Sequence, residues 1–497
     1  MKPKYRRILL AVSSAIILLY IILLIPDEEP PVSAFQSVPS NQTPFVWDQN
    51  EYWQYLEGRF VSARSTGREK LFPQFDSLYN RAMNLLHTIE TSQLEPGAHE
   101  FRKLETLIFE LAPIVAVCSD HYYDFAQLIS QTRTAVKRRS EHWDMNSQDS
   151  RTTLYRLLYG GRMALEEIML QMPPTFQIPN IMLGIDEPSQ TPEGVILGIR
   201  IHSGDILLSR GTVPTSALIA RGNDFPGNFS HAALVRVHPR THTLSFIESH
   251  IERGVTVSTV EEYLNDVKFR VMVLRVRSDL PQIRAEPMLP HNAAQYALSR
   301  AEGGHIPYDF AMDFRDTTKW FCSEVVSEAY RNQGIHLWMG LSHLSSPGLQ
   351  RWLAGFGARN FVTQEPSDLE YDPQLLVIAE WRNLETLRKD HYDNAVTEAM
   401  LDGANAGEPL RYSYFLLPFA RVLKGYSVLL NMIGCVGPVP EGMPAVSALR
   451  HRWYTQRHNE ITKSLSEEAV RFQLEKGYPP PYWQLVTIAE SIKTHTE

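Results

Sequence analysis

Lys319-Trp320-Phe321-Cys322-Ser323-Glu324-Val325-Val326-Ser327-Glu328-Ala329-Tyr330 is the stretch on which the reading of this chain turns. Apolar residues at 321, 325, 326, 329 and 330 keep helical spacing, which predicts an amphipathic helix with Cys322 in its first turn. There the unpaired backbone N–H groups and the positive end of the helix dipole favour thiolate over thiol, the form a sulfur nucleophile needs. The same donors can hold an oxyanion. A cysteine in a helix is usually a small apolar filler, so the nucleophile reading requires a base and an orienting group elsewhere in the chain.

The chain has 497 residues, enough for two or three domains. Its 43% hydrophobic and 21% charged residues describe an ordinary folded protein, and a net charge of −8 argues against nucleic acid as a partner. The three cysteines, Cys118, Cys322 and Cys435, form no CxxC pair, which excludes a disulfide framework and disfavours a zinc site. One Cys118–Cys435 disulfide stays open, and would leave Cys322 free.

Working outward, the N-terminus carries Lys2, Lys4, Arg6 and Arg7 before an uncharged apolar run from Ile8 to Ile25. Residues 1–26 therefore read as a basic flank and a transmembrane anchor with a cytoplasmic N-terminus, leaving the rest extracytoplasmic. A cleavable signal peptide ending near Val32-Ser33-Ala34 is the rival reading. Residues 27–46 read as a flexible linker. Helical periodicity at Tyr52–Ser65, Glu69–Thr91, His99–Val117, Tyr123–Arg138 and Arg151–Gln171 makes 47–172 a helical bundle with solvated charged faces, a spacer or docking domain.

After Pro173-Pro174 short β runs follow: 194–200, 203–211, 229–237, 244–249, 255–257 and 270–276, with a Pro/Gly loop near 212–228 and a short helix at 259–264. Alternation is weak over Val271-Met272-Val273-Leu274, as expected of a strand covered on both faces. His291–Arg300 reads as helix. From Ser367 onward the chain reads as mainly helical, with Tyr412–Val436 a buried or bilayer-surface helix.

The base and the orienting group are sought among these strands. His231 opens one strand beside the Pro/Gly loop, and Glu248 lies on its expected hairpin partner, where a carboxylate can fix the imidazole tautomer. His238, His242 and His250 are neighbours; the first two read as turn residues, and a metal site built from the three is disfavoured because no helix presents them on one face.

Gly204-Asp205-Ile206, Ser230-His231-Ala232-Ala233-Leu234-Val235, Phe246-Ile247-Glu248, Gly304-x-x-x-Tyr308-Asp309-Phe310 and Phe321-Cys322-Ser323-Glu324-Val325-Val326 together resemble the circularly permuted NlpC-type papain-like cysteine hydrolases, in the YiiX/YebB-like branch. There the strand histidine precedes the helix cysteine, as here. The resemblance runs from about Ile199 to Asp372. It implies an α+β fold with an antiparallel sheet packed on the cysteine helix, over 190–375, flanked by helical regions, the C-terminal one at 376–497. It further implies Cys322 as nucleophile, His231 as general base, Glu248 as the third member and Tyr308 at the oxyanion side, with Asp205 a turn residue.

The expectation is an inner-membrane, extracytoplasmic cysteine hydrolase that cleaves a cell-wall peptide amide through an S-acyl enzyme, without metal or cofactor. A lipid esterase or acyltransferase resembling lecithin retinol acyltransferase is the alternative within enzymes, and a non-catalytic envelope binding module is the alternative outside them.

Overall fold

The computed structural model describes residues 3–25, 38–39, 41–47, 51–173 and 175–495, with the side chains of 3–9 and 51–54 excepted. The apolar N-terminal run is helical, α1 (Pro3–Leu24). Among the described residues, however, no helix is long and apolar enough to cross a membrane. The expected transmembrane helix is therefore not found: the uncharged stretch within α1 runs only from Ile8 to Leu24, shorter than the ~20 residues a span needs. The expected linker over 27–46 falls mostly outside the described residues, but its end is no free tether. Gln42 is buried, the Phe45 N–H donates to the Asp224 carbonyl (2.7 Å), and the Phe45 ring meets Tyr155 edge-on at 4.8 Å.

Helices α2 (Glu51–Thr66), α3 (Arg68–Thr91), α4 (His99–Val117), α5 (Tyr122–Ser140) and α6 (Gln148–Gln171) pack around Phe75, Leu104, Leu111, Phe125 and Leu158. Their apolar spacing puts one stripe of each into this shared core. The solvated charged faces expected for them are only partly present, because Arg162 and Glu166 on α6 are buried and paired, as described below.

The chain then builds β1 (Ile181–Leu183), β2 (Glu193–Ile196), β3 (Ile199–His202) and β4 (Ile206–Gly211). The strand expected over 194–200 is instead a hairpin. Leu197 (φ 50°) and Gly198 (φ 81°) form a two-residue turn whose positive φ values match strand twist. The expected loop after β4 contains α7 (Pro214–Arg221), with Pro214 in its first turn, where a missing N–H costs nothing. Next come β5 (His231–Val237), β6 (Leu244–His250), β7 (Gly254–Thr259), α8 (Val260–Asn265), β8 (Lys268–Val276), α9 (Pro281–Ala285), α10 (Leu289–Glu302) and α11 (Cys322–Asn332). The remainder is β9 (Ser342–His343), α12 (Pro347–Phe356), β10 (Val362–Thr363), β11 (Leu375–Arg382), α13 (Leu384–Asn405), α14 (Leu417–Asn431), α15 (Ala445–Lys476) and α16 (Tyr482–His495).

Seven strands form one antiparallel sheet in the order β1-β11-β8-β4-β5-β6-β7. Strands β1 and β11 lie outside the expected 190–375 segment or across its end. The apolar run Leu375-Leu376-Val377-Ile378-Ala379 fits a strand buried on both faces as well as a helix, and pairing with β8 selects the strand. One face carries Ile206, Leu208, Ala232, Leu234, Met272 and Leu274 against α10 and α11; the other carries Leu207, Ala233, Val235, Val271 and Val273 against the β2–β3 hairpin and Tyr263. Both faces are thus covered, which removes the polar alternation.

Buried charge joins the bundle to this sheet. Glu166 accepts from Arg270 at 2.6 and 3.0 Å, from Arg382 at 2.9 Å and from Arg162 at 3.2 Å, and Arg162 also grips Glu370 with two bonds of 2.9 Å. On the C-terminal side Asp390 of α13 pairs with Arg270 at 2.5 Å and Arg210 at 3.3 Å. Burial opposes ionisation of Glu166, yet the three guanidinium groups hold its carboxyl well below the usual range.

Candidate active site

Cys322 is the first residue of α11, following Phe321 in extended conformation, and its side chain is buried. The helix start is fixed from two sides. The Ser249 hydroxyl of β6 donates to the Trp320 carbonyl (2.6 Å), and the Trp320 N–H donates to the Pro307 carbonyl (3.0 Å). Glu324 supplies half of a capping box, its carboxyl accepting the Phe321 N–H at 2.8 Å, while Phe321 has no acceptor to return. Burial pushes the Glu324 carboxyl up to about 10, so it is neutral at pH 7 and sets no negative charge beside the sulfur. The Sγ atom lies 4.0 Å from the Ser230 carbonyl, at the start of β5.

His231 follows Ser230 and opens β5. The β5–β6 register sets Glu248 opposite Ala233, two residues from His231, so the histidine and the carboxylate share a sheet face as a diagonal pair. His231 Nε2 and Glu248 Oε2 are 2.9 Å apart, which leaves Nδ1 for the sulfur. The other carboxylate oxygen accepts from the Ser258 hydroxyl of β7 at 2.5 Å and lies 3.3 Å from His250 Nε2.

Electrostatics follow from this packing. Burial works against a charged imidazole, but hydrogen bonds to Cys322 and Glu248 and the charges of both push His231 up to about 10. Burial also opposes the Glu248 carboxylate, yet hydrogen bonds from His231 and His250 hold it far below its usual range. The arrangement suits a thiolate–imidazolium pair backed by a carboxylate: a nucleophile, a proton carrier and an orienting anion. Around it, the half-buried Tyr308 packs on Phe310 at 5.0 Å, and its phenol is pushed well up by burial and then by the Cys322 charge.

Asp205 lies elsewhere, in a bidentate pair with Arg275 (both contacts 2.8 Å), and accepts the His202 N–H at 2.7 Å, a turn and core role. His238 accepts the N–H groups of Arg240 and Thr241 in the β5–β6 turn, and His242 (φ 55°) sits in the same turn. Cys118, Cys322 and Cys435 are all free, so the Cys118–Cys435 disulfide does not form. Cys118 is walled into the helical core while Cys435 is exposed.

Three neighbours of the site lie outside the expected set of Cys322, His231, Glu248 and Tyr308, and of these the sequence reading named only His250. His250 stacks on His231 at 5.4 Å, Ser258 bonds Glu248, and the Glu365 carboxyl is pushed well up by burial and then by Cys322. The first had a signal: it stands two residues beyond Glu248 on one strand and so shares its face. Ser258 and Glu365 had none, since only the fold brings their segments here. Among the described residues His231, Glu248 and His250 are the group that could hold a metal ion, with ligand atoms within 4.8 Å of one another. Those atoms already contact one another directly. A cavity of about 570 Å³ lined by Tyr122, Arg133, Met182 and Glu380 lies between α5 and the β1–β11 edge, away from the sulfur.

Residues 200–378 match the family described as permuted papain-like amidase enzyme, YaeF/YiiX, C92 family. This part of the chain is similar to that papain-like cysteine amidase/peptidase family, in keeping with the YiiX-like resemblance of the sequence motifs. Among curated proteins none matches the chain.

Proposed function

We propose that this permuted papain-like amidase domain is a working thiol hydrolase that cleaves cell-wall peptide amides outside the cytoplasm, held at the inner membrane through its N-terminal helix. Cys322 Sγ attacks the carbonyl carbon while the N–H groups of the first turn of α11, with Tyr308 alongside, receive the developing oxyanion. Collapse breaks the C–N bond, and the leaving amine takes the proton held by His231. Water, deprotonated by His231, then attacks the thioester, which releases the acid and restores the thiol. Glu248 keeps the imidazole oriented and stabilises its charged form.

The observation that carries this reading is the 2.9 Å His231–Glu248 contact behind a sulfur at the first position of a helix. The envelope location is supported by Lys2, Lys4, Arg6 and Arg7 ahead of the uncharged apolar run from Ile8 to Ile25. A lipid ester or acyl-transfer substrate is the second reading, favoured by the apolar outer surface of α14, where Phe419 and Leu429 are exposed.

A panel of cell-wall peptides and phospholipids, assayed with the wild type and Cys322→Ala, separates these substrates. A thiol-directed electrophile provides the prior test. It should label Cys322 faster than the exposed but unassisted Cys435, and His231→Ala should slow that labelling. Equal rates, or indifference to His231→Ala, would instead support a binding module on the same fold.

A further inference from the structure

Helix α14 is amphipathic, and its outer stripe is bare. Leu417, Ala420 and Ser427 are buried, the first two in a core with Ala445, Val446 and Leu449 of α15. Phe415, Phe419, Val422, Tyr426, Leu429 and Ile433, spaced three and four apart, are 53–73% exposed. An apolar stripe of this kind on a flat-lying helix is the pattern of an interfacial helix.

Helix α1 packs beside it. The Tyr20 hydroxyl donates to the Phe415 carbonyl (3.0 Å), the Tyr20 and Phe419 rings stand 6.2 Å apart, and Arg421 donates to the Leu23 carbonyl (2.9 Å) at the end of α1. Lys424 is likewise tied back to the carbonyls of Pro440 and Glu441. Both cations of α14 thus satisfy backbone acceptors instead of breaking the apolar surface.

We infer that the outer stripe of α14, continuous with the exposed apolar surface of α1, docks on a lipid bilayer. Ile16, Ile17, Leu18 and Leu19 are successive helical positions and all are more than half exposed. Successive positions turn by about 100°, so these four point around the whole helix. A second protein chain covers a stripe; a fluid hydrocarbon layer covers a circumference. In the sequence, Lys2, Lys4, Arg6 and Arg7 precede the apolar run, a positive charge that complements anionic headgroups.

Docking there also orients the catalytic domain. The segment after α14 returns beside Tyr308 and Phe310: His305 meets Glu441 at 2.7 Å, and Gly442 packs so closely on the Phe310 ring that a Cβ there would lie 2.7 Å from it. The site is therefore presented one loop away from the bilayer. This inference deepens the membrane location proposed above and is independent of the thiol chemistry.

The test uses the full chain carrying Cys322→Ser, labelled with an environment-sensitive fluorophore at the exposed Cys435, with Cys118 shielded in the core. On vesicles of phosphatidylethanolamine and phosphatidylglycerol, the emission should shift to the blue and be quenched by lipids bearing a nitroxide on the acyl chain. Phe415→Ser, Phe419→Ser, Leu429→Ser and Ile433→Ser together should reduce the quenching severalfold while the circular dichroism spectrum is kept. Vesicle-bound protein whose label stays in a water-like environment would overturn the inference, with α1 alone holding the membrane. Shielding of the label through dimerisation in the absence of lipid would overturn it in favour of a second copy. No activity is read, so neither result bears on Cys322 as a nucleophile.

Discussion

Replacing Glu248 by Gln keeps the shape of the residue behind His231, removes its charge and turns one acceptor oxygen into an NH2 donor. An imidazole raised from 6.5 to about 10 carries a preference for the charged form of roughly 5 kcal/mol. Burial acts in the opposite direction, so Cys322 and Glu248 together supply at least that much. If they share it about equally, the loss of one charge removes roughly 2 kcal/mol or more, and the His231 midpoint falls to about 8. An NMR titration of the His231 ring, assigned by its absence in His231→Ala, reads this midpoint directly. The alkaline limb of acyl-enzyme formation should move with it, because the leaving group draws its proton from that ring. Stability follows the same sign. His231 is raised on folding, so its contribution is complete below about pH 6.5 and is lost as pH climbs through about 10; Glu248→Gln should flatten that decline. A ring that still titrates near 10 in the variant would refute the reasoning, because the carboxylate would then not be what holds the imidazole charged.

Ser258→Ala removes the 2.5 Å bond to Glu248 and leaves His250 as the other contact on that oxygen, so turnover should fall several-fold with KM little changed, as steady-state kinetics would read. Glu166→Ala takes one carboxylate from each of Arg162, Arg270 and Arg382, which keep Glu370, Asp390 and Glu380, leaves the buried cluster one negative charge short, and should destabilise the protein by about 3–5 kcal/mol in urea unfolding. Gly254→Ala places a Cβ 2.1 Å from the Ile306 carbonyl at φ 70°, and should cost at least ~2 kcal/mol by thermal melting while slowing Cys322 labelling, because β7 hydrogen-bonds Ile306 on the approach to α11.

The local chemistry of the site was legible along the chain because it depends on short-range order. Helical spacing placed Cys322 in a first turn, and a hairpin pattern set His231 and Glu248 on adjacent strands. The motif order supplied the fold family, since five short patterns in sequence constrain topology far more than any one of them. Segments whose state depends on distant partners were not legible. Leu375–Arg382 becomes a strand through pairing with β8 and β1, and β1 is three residues long and has no pattern of its own.

The sequence by itself determined which atoms carry the chemistry: a thiol at a helix start, an imidazole and a carboxylate, all set by residue identity and local periodicity. Only the tertiary structure decided their electrical state. The charge on His231 and the neutrality of Glu324 come from burial and from partners many residues away, as does the incorporation of the N-terminal helices into one body through Glu166. Desolvation and Coulomb energy depend on what surrounds a group in space, and no local reading of the chain contains that.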